Sequence, residues 1–553
     1  MPSAGAMPTT KEPQAMKNFK QRSVKVDHFA MIPRADIPRS TFKMETAHKT
    51  TFNAGTLVPV FIDEILPGDT YNLNLTAFAR MATPIYPLMD NLHMEHHAFF
   101  VPNRLTWDNW EKFMGSQDNP ADSISFIVPI ISQSNLVTAA VPLSLYDYFG
   151  LPVTGQGAPG NMSINALPFR AYNLIWNQWY RDENLQNSVT VTTGNGPDVP
   201  TNYTLLSRGK RKDYFTSALP FVQKGPAVSF GLTGIVPVAT NNQNITFTPV
   251  AGPSNMPAIV ASGLDKPIGV QGTVLGSANT PVRFGNQSGL QVDLATATAT
   301  TVNNLRNSFQ VQKLLERDAR AGTRYVELIR GHFGVTLPDF TAQRPVFLGS
   351  SHTPININAI AQQSGTGTTG TTTPLGQLAG IGTGVSQLHF NQSFTEHGYL
   401  MILANVRADL TYQQGIRKMW SRSTRYDFYF PVFAMLGEQP VLNKEIYFQG
   451  NATDDAVFGY QERWAEYRYH PSRISGLFRS TTAGTIDGWH LAQRFTSLPT
   501  LNSTFITDNP PMERVLAVGA SANGQEFIYD SICTINATRA LPMYSVPGLI
   551  DHF

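Results

Sequence analysis

Strand-like runs open and close the body of this chain, and long excursions poor in charge separate them. Thr56–Ile65, Tyr71–Ala79 and Leu92–Val101 are short β-rich segments, each followed by a Pro, Gly or Asn break. Far downstream, Tyr399–Val406 alternates loosely, and Glu526–Ile535 alternates with Phe527, Tyr529 and Cys533 on one face. Strands, excursions and strands again predict a mainly β fold, a Greek-key sandwich or jelly roll with insertions in its loops.

The excursions differ in kind. Thr106 is placed to cap a short helix carrying Trp107, Trp110 and Met114 at helical spacing, with Gly115 as its stop. Pro168 marks the start of a second helix with Phe169, Tyr172, Trp176 and Trp179 on one face; core packing explains such a stripe better than a ligand box. From about 187 to 302 the composition shifts. Residues 225–302 hold only Asp265, Lys266, Arg283 and Asp293 as charges, among dense Gly, Pro, Thr, Val and Asn, which predicts an inserted β- or loop-rich module. Its start is blurred by the basic cluster Arg208–Lys212. It ends at Asn303, where Leu305, Phe309, Leu315 and Ala319 repeat at helical spacing, and Arg324–Val335 continues helically past Gly322. Ser364–Gln387 has seven Gly and seven Thr and no charge, which predicts a mobile surface loop.

Charged residues make up only 14% of the 553, against about 25% in a typical soluble domain. That is too little to dress a free monomer, so much of the surface is expected to meet other protein. The charge is also uneven. Residues 1–43 carry eight Lys/Arg, among them Lys11, Lys17, Lys20, Arg22 and Lys25, against Glu12, Asp27 and Asp36. A basic arm (1–45) thus precedes a slightly acidic body. It reads either as a solvated tail or as a phosphate contact, with Phe19, Phe29 and Phe42 available to stack on bases. The single cysteine, Cys533, rules out an internal disulfide and reads as packing. Met1–Ala30 has no apolar signal-peptide core, and apolar runs such as Phe126–Ile131 are far short of a bilayer span, so synthesis in a cytoplasm is expected.

No catalytic constellation emerges. Gly365-Thr-Gly367-Thr-Thr-Gly370 spells a dinucleotide fingerprint, but inside a Gly/Thr run with no helix after it the motif has no mechanism. There is no G-x-S-x-G elbow, P-loop or C-x-x-C. Strand alternation puts His93, Glu95 and His97 on one face, a conceivable zinc triad. The plainer alternative is a polar row on the solvent or interface face of a strand whose other face carries Met94, Ala98 and Phe100. No catalytic residue, metal ligand or cofactor is therefore assigned, and the chain is not expected to be an enzyme.

Five blocks carry a family resemblance: Phe99–Trp110, Leu167–Trp176, Tyr412–Ile416, Phe458–Tyr467 and Leu541–His552. Long and rich in Trp and Tyr, they span nearly the whole chain. In them the chain resembles the major capsid proteins of microviruses, small single-stranded DNA bacteriophages, and most closely the gokushovirus branch. The resemblance implies structural roles for Phe100, Pro102, Arg104, Trp107, Trp110, Tyr172, Trp176, Gly459, Trp464, Tyr467, Pro547 and Gly548. It implies an eight-stranded antiparallel jelly roll formed by 46–186 and 303–553, with 187–302 as a protrusion at three-fold axes. It further implies pentamers, a T=1 icosahedral shell around circular single-stranded DNA, and a place in the virion. The partners it implies are a minor pilot protein, an internal scaffolding protein, a small basic DNA-binding protein and a host surface receptor. The rival readings are a free β-rich receptor- or glycan-binding protein of a phage particle and, more remotely, a metal-dependent hydrolase.

Overall fold

The computed structural model describes residues 38–156, 162–228, 302–361, 363, 376, 378–517 and 524–544, with short backbone segments inside 238–292. The arm residues Lys11, Lys17, Lys20, Arg22 and Lys25, together with Pro547 and Gly548, lie outside the described residues.

Eight long strands form one nearly closed antiparallel sheet. They are β1 (Ser40–Phe52), β2 (Val58–Ile65), β3 (Thr70–Met81), β4 (Leu92–Pro102), β5 (Val346–Ala361), β6 (Leu378–Ser393), β7 (Gly398–Ala408) and β8 (Phe527–Arg539). Their order is β1-β8-β3-β6-β5-β4-β7-β2. The first strand pairs with the eighth, the second with the seventh, the third with the sixth and the fourth with the fifth, which is the nested pairing of a jelly roll. β1 runs in full register along β8, from Ser40 opposite Arg539 to Phe52 opposite Phe527. β5 joins the two halves by pairing with β6 from Asn356 opposite Thr383 to Ala361 opposite Leu378.

The two halves bury their strands differently. β3 and β8 alternate buried and open positions, so one face fills the barrel (Leu73, Leu75, Tyr529, Cys533, Ile535) and the other is bare. β4 and β7 are buried on both faces, because the excursion between β4 and β5 folds back over them. Its helix α1 (Leu167–Ile175) begins with Pro168 in its first turn and runs on as a π turn over Trp176–Tyr180. Phe169, Tyr172 and Ile175 pack on Phe99, Val101, Met401 and Leu403, the outer residues of β4 and β7. At full burial each such side chain contributes about 1.5–3 kcal/mol. The predicted polar helices are α2 (Val302–Ala321) and α3 (Tyr325–Phe333).

The basic arm does not extend to residue 45: Ser40–Phe52 is a strand, and its charges Lys43, Glu45 and Lys49 are exposed positions along a barrel edge. The stretch 378–387 is not a loop but part of β6. Its glycines alternate onto the packed face: a side chain at Gly380 would meet Pro84 at 2.8 Å, and one at Gly382 would meet Met81 at 3.0 Å. Most of the Gly/Thr run before it, 364–375, lies outside the described residues. The helix expected from Thr106 is shorter than its pattern, a single turn at Trp110–Phe113, with Trp107 fully buried before it.

Residues 187–228, assigned by composition to the inserted module, are packed against the rest of the fold. Asp198 and Tyr203 sit under α1, and Tyr214 and Phe215 join Tyr412, Val441, Ile446 and Phe458 in a cluster beneath the excursion between β7 and β8.

Candidate assembly surface

The histidine-rich strand is buried rather than open. Its inner face sends His96 into the barrel, where Nε2 hydrogen-bonds the Tyr529 hydroxyl at 2.9 Å and Nδ1 lies 3.1 Å from Ser351 Oγ. Burial pushes the His96 imidazole down to about 4 and His97 to about 3. His93, Glu95 and His97 share the outer face, as alternation predicts, but the 208–211 segment covers it. Glu95 is only 5% exposed. It accepts from Arg211 Nη2 at 3.1 Å and Arg407 Nη2 at 3.2 Å, pairs with Arg208 and lies 3.2 Å from His352 Nδ1. Burial pushes its carboxyl up, yet the Arg208 and Arg407 guanidiniums outweigh that and hold it at about 2. A carboxylate spoken for by three guanidiniums is a structural counter-ion, and among the described residues no group of three His, Cys, Asp or Glu is set to hold a metal ion. The solvent or interface face expected for this row is instead an internal ionic layer. Cys533 is buried in the barrel, and burial pushes its thiol up to about 12, as fits packing.

Most of the singled-out aromatic and arginine side chains act as clamps between excursions and barrel. Trp107 donates from Nε1 to Asn195 Oδ1 at 2.8 Å, and Trp110 sits edge-on to it. Tyr172 donates to Leu57 O at 2.8 Å and Trp176 Nε1 to Ser207 O at 2.9 Å. Arg104, just past Pro102 at the end of β4, forks onto Glu396 at 2.6 and 3.1 Å, and Phe100 packs on Phe394 with ring centroids 4.7 Å apart. A side chain at Gly459 would run into Leu501 at 2.8 Å. The block Leu167–Trp176 also holds a pair that spacing did not reveal. Arg170 and Asp198 are both fully buried and joined at 2.7 Å through two hydrogen bonds, with a third from Arg170 Nη1 to Thr106 O at 2.9 Å.

The open surface lies elsewhere, on the excursion between β7 and β8. Over 418–436 the chain makes only single helical turns and presents Trp420 at 71% exposure, Tyr426 at 68%, Val432 at 81% and Met435 at 97%. This loop is held in place. Arg422 bonds Glu466 at 2.9 Å and lies 4.6 Å from the centre of the Tyr467 ring. Trp464 Nε1 donates to Phe433 O at 3.0 Å. The Asp427 carboxylate accepts from the Ser423 and Thr424 amides, chiefly that of Thr424, which holds it down to about 2. Large apolar and aromatic side chains fixed outward, interleaved with arginine, have the composition of interface hot spots. Sequence reading passed over this loop, although the run from Arg417 to Leu436 is dense in Trp, Tyr, Phe, Met and Arg.

A family described as capsid protein (F protein) matches residues 30–549. The chain belongs to this phage capsid family. It is 45% identical to the capsid protein VP1 of Bdellovibrio phage phiMH2K, over 95% of this chain and 98% of that one. It is 41% identical to VP1 of Chlamydia phage 1 (96% and 99% covered) and 34% identical to VP1 of Spiroplasma virus 4 (96% and 99% covered). The resemblance to microvirus capsid proteins is thus a membership. As a member, the chain is a structural protein of the virion, not an enzyme, and works by joining other copies in a shell.

Proposed function

We propose that this chain is the major subunit of a T=1 icosahedral shell that closes through pentamers around circular single-stranded DNA. The observation that carries the reading is the 418–436 surface, where Met435, Val432 and Trp420 are exposed on a loop fixed by the part-buried Arg422–Glu466 pair. A free monomer gains nothing from presenting such residues, whereas a neighbour that covers them gains about 1.5–3 kcal/mol per large side chain. In a closed shell that gain recurs at every copy. The bare outer face of β1, β8, β3 and β6, with Phe78, Val385, Ile528 and Ile532 exposed, is a second contact surface in this reading.

The inserted module is the three-fold protrusion and the host-attachment element, and its boundary falls nearer 229 than 187, since 187–228 pack with the core. The basic arm faces inward onto packaged DNA through Lys11, Lys17, Lys20, Arg22 and Lys25, its charge favouring phosphate by counter-ion release. Pilot, scaffolding and small basic DNA-binding proteins complete the particle, and a host surface molecule is its target.

Negative-stain electron microscopy of the expressed chain, alone and with the phage's other gene products, tests this. Wild type should close into uniform particles, and Met435→Asp should stop at small oligomers with an unchanged melting midpoint. Normal particles from the Asp variant, or discrete small oligomers from wild type even with all partners supplied, would overturn the reading.

A further inference from the structure

Between the end of α1, the 208–212 segment and the facing ends of α2 and α3 lies a cavity of about 740 Å3. Eight Lys or Arg side chains line it against three carboxylates. Several of the cations are paired: Arg208 and Arg407 with Glu95, Lys212 with Asp182, Arg320 with Glu438, Arg324 with Glu183 and Glu327. Three are not. Among the described residues, Arg181, Lys210 and Arg330 have no carboxylate within ion-pairing distance.

Lys210 is the telling one. It is only 8% exposed, its ammonium sits 4.6 Å from the centre of the Phe505 ring, and among the described residues its Nζ has no hydrogen-bond acceptor. Its Nζ is not sealed off from solvent, and the Asp508 and Asp213 carboxylates act on it only from beyond ion-pairing distance, so the ammonium is free to take an anion or water. A second observation points the same way: among the described residues the Arg181 guanidinium bonds only the Gln186 carbonyl, at 3.0 Å, and the Arg330 guanidinium makes no hydrogen bond. The nearby aromatic faces are taken, Trp179 by Arg344 and Tyr180 by Arg208, so the cavity offers N–H donors rather than stacking platforms.

We propose that this cavity is an anion site for a phosphate group, with donors running from buried Lys210 through Arg181 to exposed Arg330. Guanidinium forks and a lysine point charge match phosphate oxygens, and the volume leaves room for the sugars of a phosphodiester or for water around a free phosphate. The site depends neither on the symmetry of the shell nor on the N-terminal arm.

Calorimetric titration of the full-length unassembled chain with inorganic phosphate and, separately, with an octamer of deoxythymidylate tests the site. The variants are Lys210→Met, which keeps the side-chain length and removes a charge that has no ion-pair partner, and Arg330→Gln at an exposed position. Melting midpoints without ligand should stay at or above wild type. Binding should weaken roughly tenfold in each variant, the loss of one charge-assisted hydrogen bond. Weakened octamer binding assigns the site to a nucleic-acid phosphodiester; weakened phosphate binding with the octamer unaffected assigns it to free phosphate. If wild type saturates with neither probe, or both variants bind both probes as wild type does, the site does not exist.

Discussion

Replacing Glu95 with glutamine should cost this capsid protein about 3 kcal/mol at neutral pH, and the figure follows from the ionic layer on β4. Glu95 is nearly inaccessible, so solvent screens its partners little. Burial alone would raise its carboxyl above the ordinary 4.5, but Arg208 and Arg407 hold it at about 2. A gap from 4.5 to about 2, at roughly 1.4 kcal/mol per pH unit, amounts to about 3 kcal/mol. An independent argument gives a similar size: the amide keeps the shape but leaves Arg208 and Arg407 without a counter-ion, while Arg211 keeps Asp409, and unpairing a buried ion typically costs about 3–5 kcal/mol. Because the folded carboxyl is depressed, its contribution is present above pH 4.5 and lost as pH falls through about 2. His96 and His97, pushed down by burial to about 4 and about 3, add their own loss on acidification, but His96 does so in both proteins. The decisive quantity is therefore the difference between wild type and Glu95→Gln in urea denaturation of the unassembled subunit. It should be largest at pH 7 and shrink toward pH 2. Equal urea midpoints at pH 7, or a gap that widens on acidification, would show that the arginines do not depend on Glu95.

Two further substitutions probe other buried charges. Asp198→Asn strands Arg170 at full burial, so the unassembled subunit should melt about 6–10 °C lower, at ~2 °C per kcal/mol for a large unit; the pair replacement Arg170→Met with Asp198→Leu should melt closer to wild type, and a single variant within a degree of wild type would refute the clamp. Burial raises Glu526, which accepts from the Ala54 amide at 2.7 Å, to about 7, so its favourable contribution is present below pH 4.5 and fades as pH rises through 7. Glu526→Gln should therefore stabilise the subunit at pH 8 and not at pH 4, as urea midpoints at the two pH values would reveal; equal effects at both would sink the assignment.

What could be read in the sequence tracks how locally each feature is determined. β2, β3, β4, β7 and β8 were visible because apolar alternation and a Pro, Gly or Asn break belong to the segment itself. β1 was not, because an edge strand that exposes Lys43, Glu45 and Lys49 has the composition of a tail. β6 was hidden by the glycines that make it fit: Gly380, Gly382 and Gly384 lie on the side where Pro84, Met81 and Ile355 leave little room for a side chain, so its period-two signal was carried by the smallest residue and looked like low complexity. Alternation puts the polar row on the correct face of β4 but carries no sign of what covers that face. The arginines that bury Glu95 come from positions 208, 211 and 407, and no local pattern couples them to residue 95. Arg170 and Asp198 were unreadable for the same reason.

The placement of these groups adds to what the low charge says. Part of the charge has gone inward: Arg170 and Asp198 are fully buried, and Glu95, Arg407, Arg422 and Glu438 are largely so. Meanwhile Trp420, Val432 and Met435 face outward on a loop that hydrogen bonds hold still. For a protein that lives alone this arrangement is inverted, since a free surface gains solubility from charge and loses it from fixed apolar side chains. For a capsid subunit it is coherent. Buried ion pairs fix the excursions in one geometry, at some expense in desolvation, and a surface fixed in advance loses less entropy when a neighbour covers it. If neighbouring copies cover this loop, as proposed above, net favourable contact requires that many copies meet.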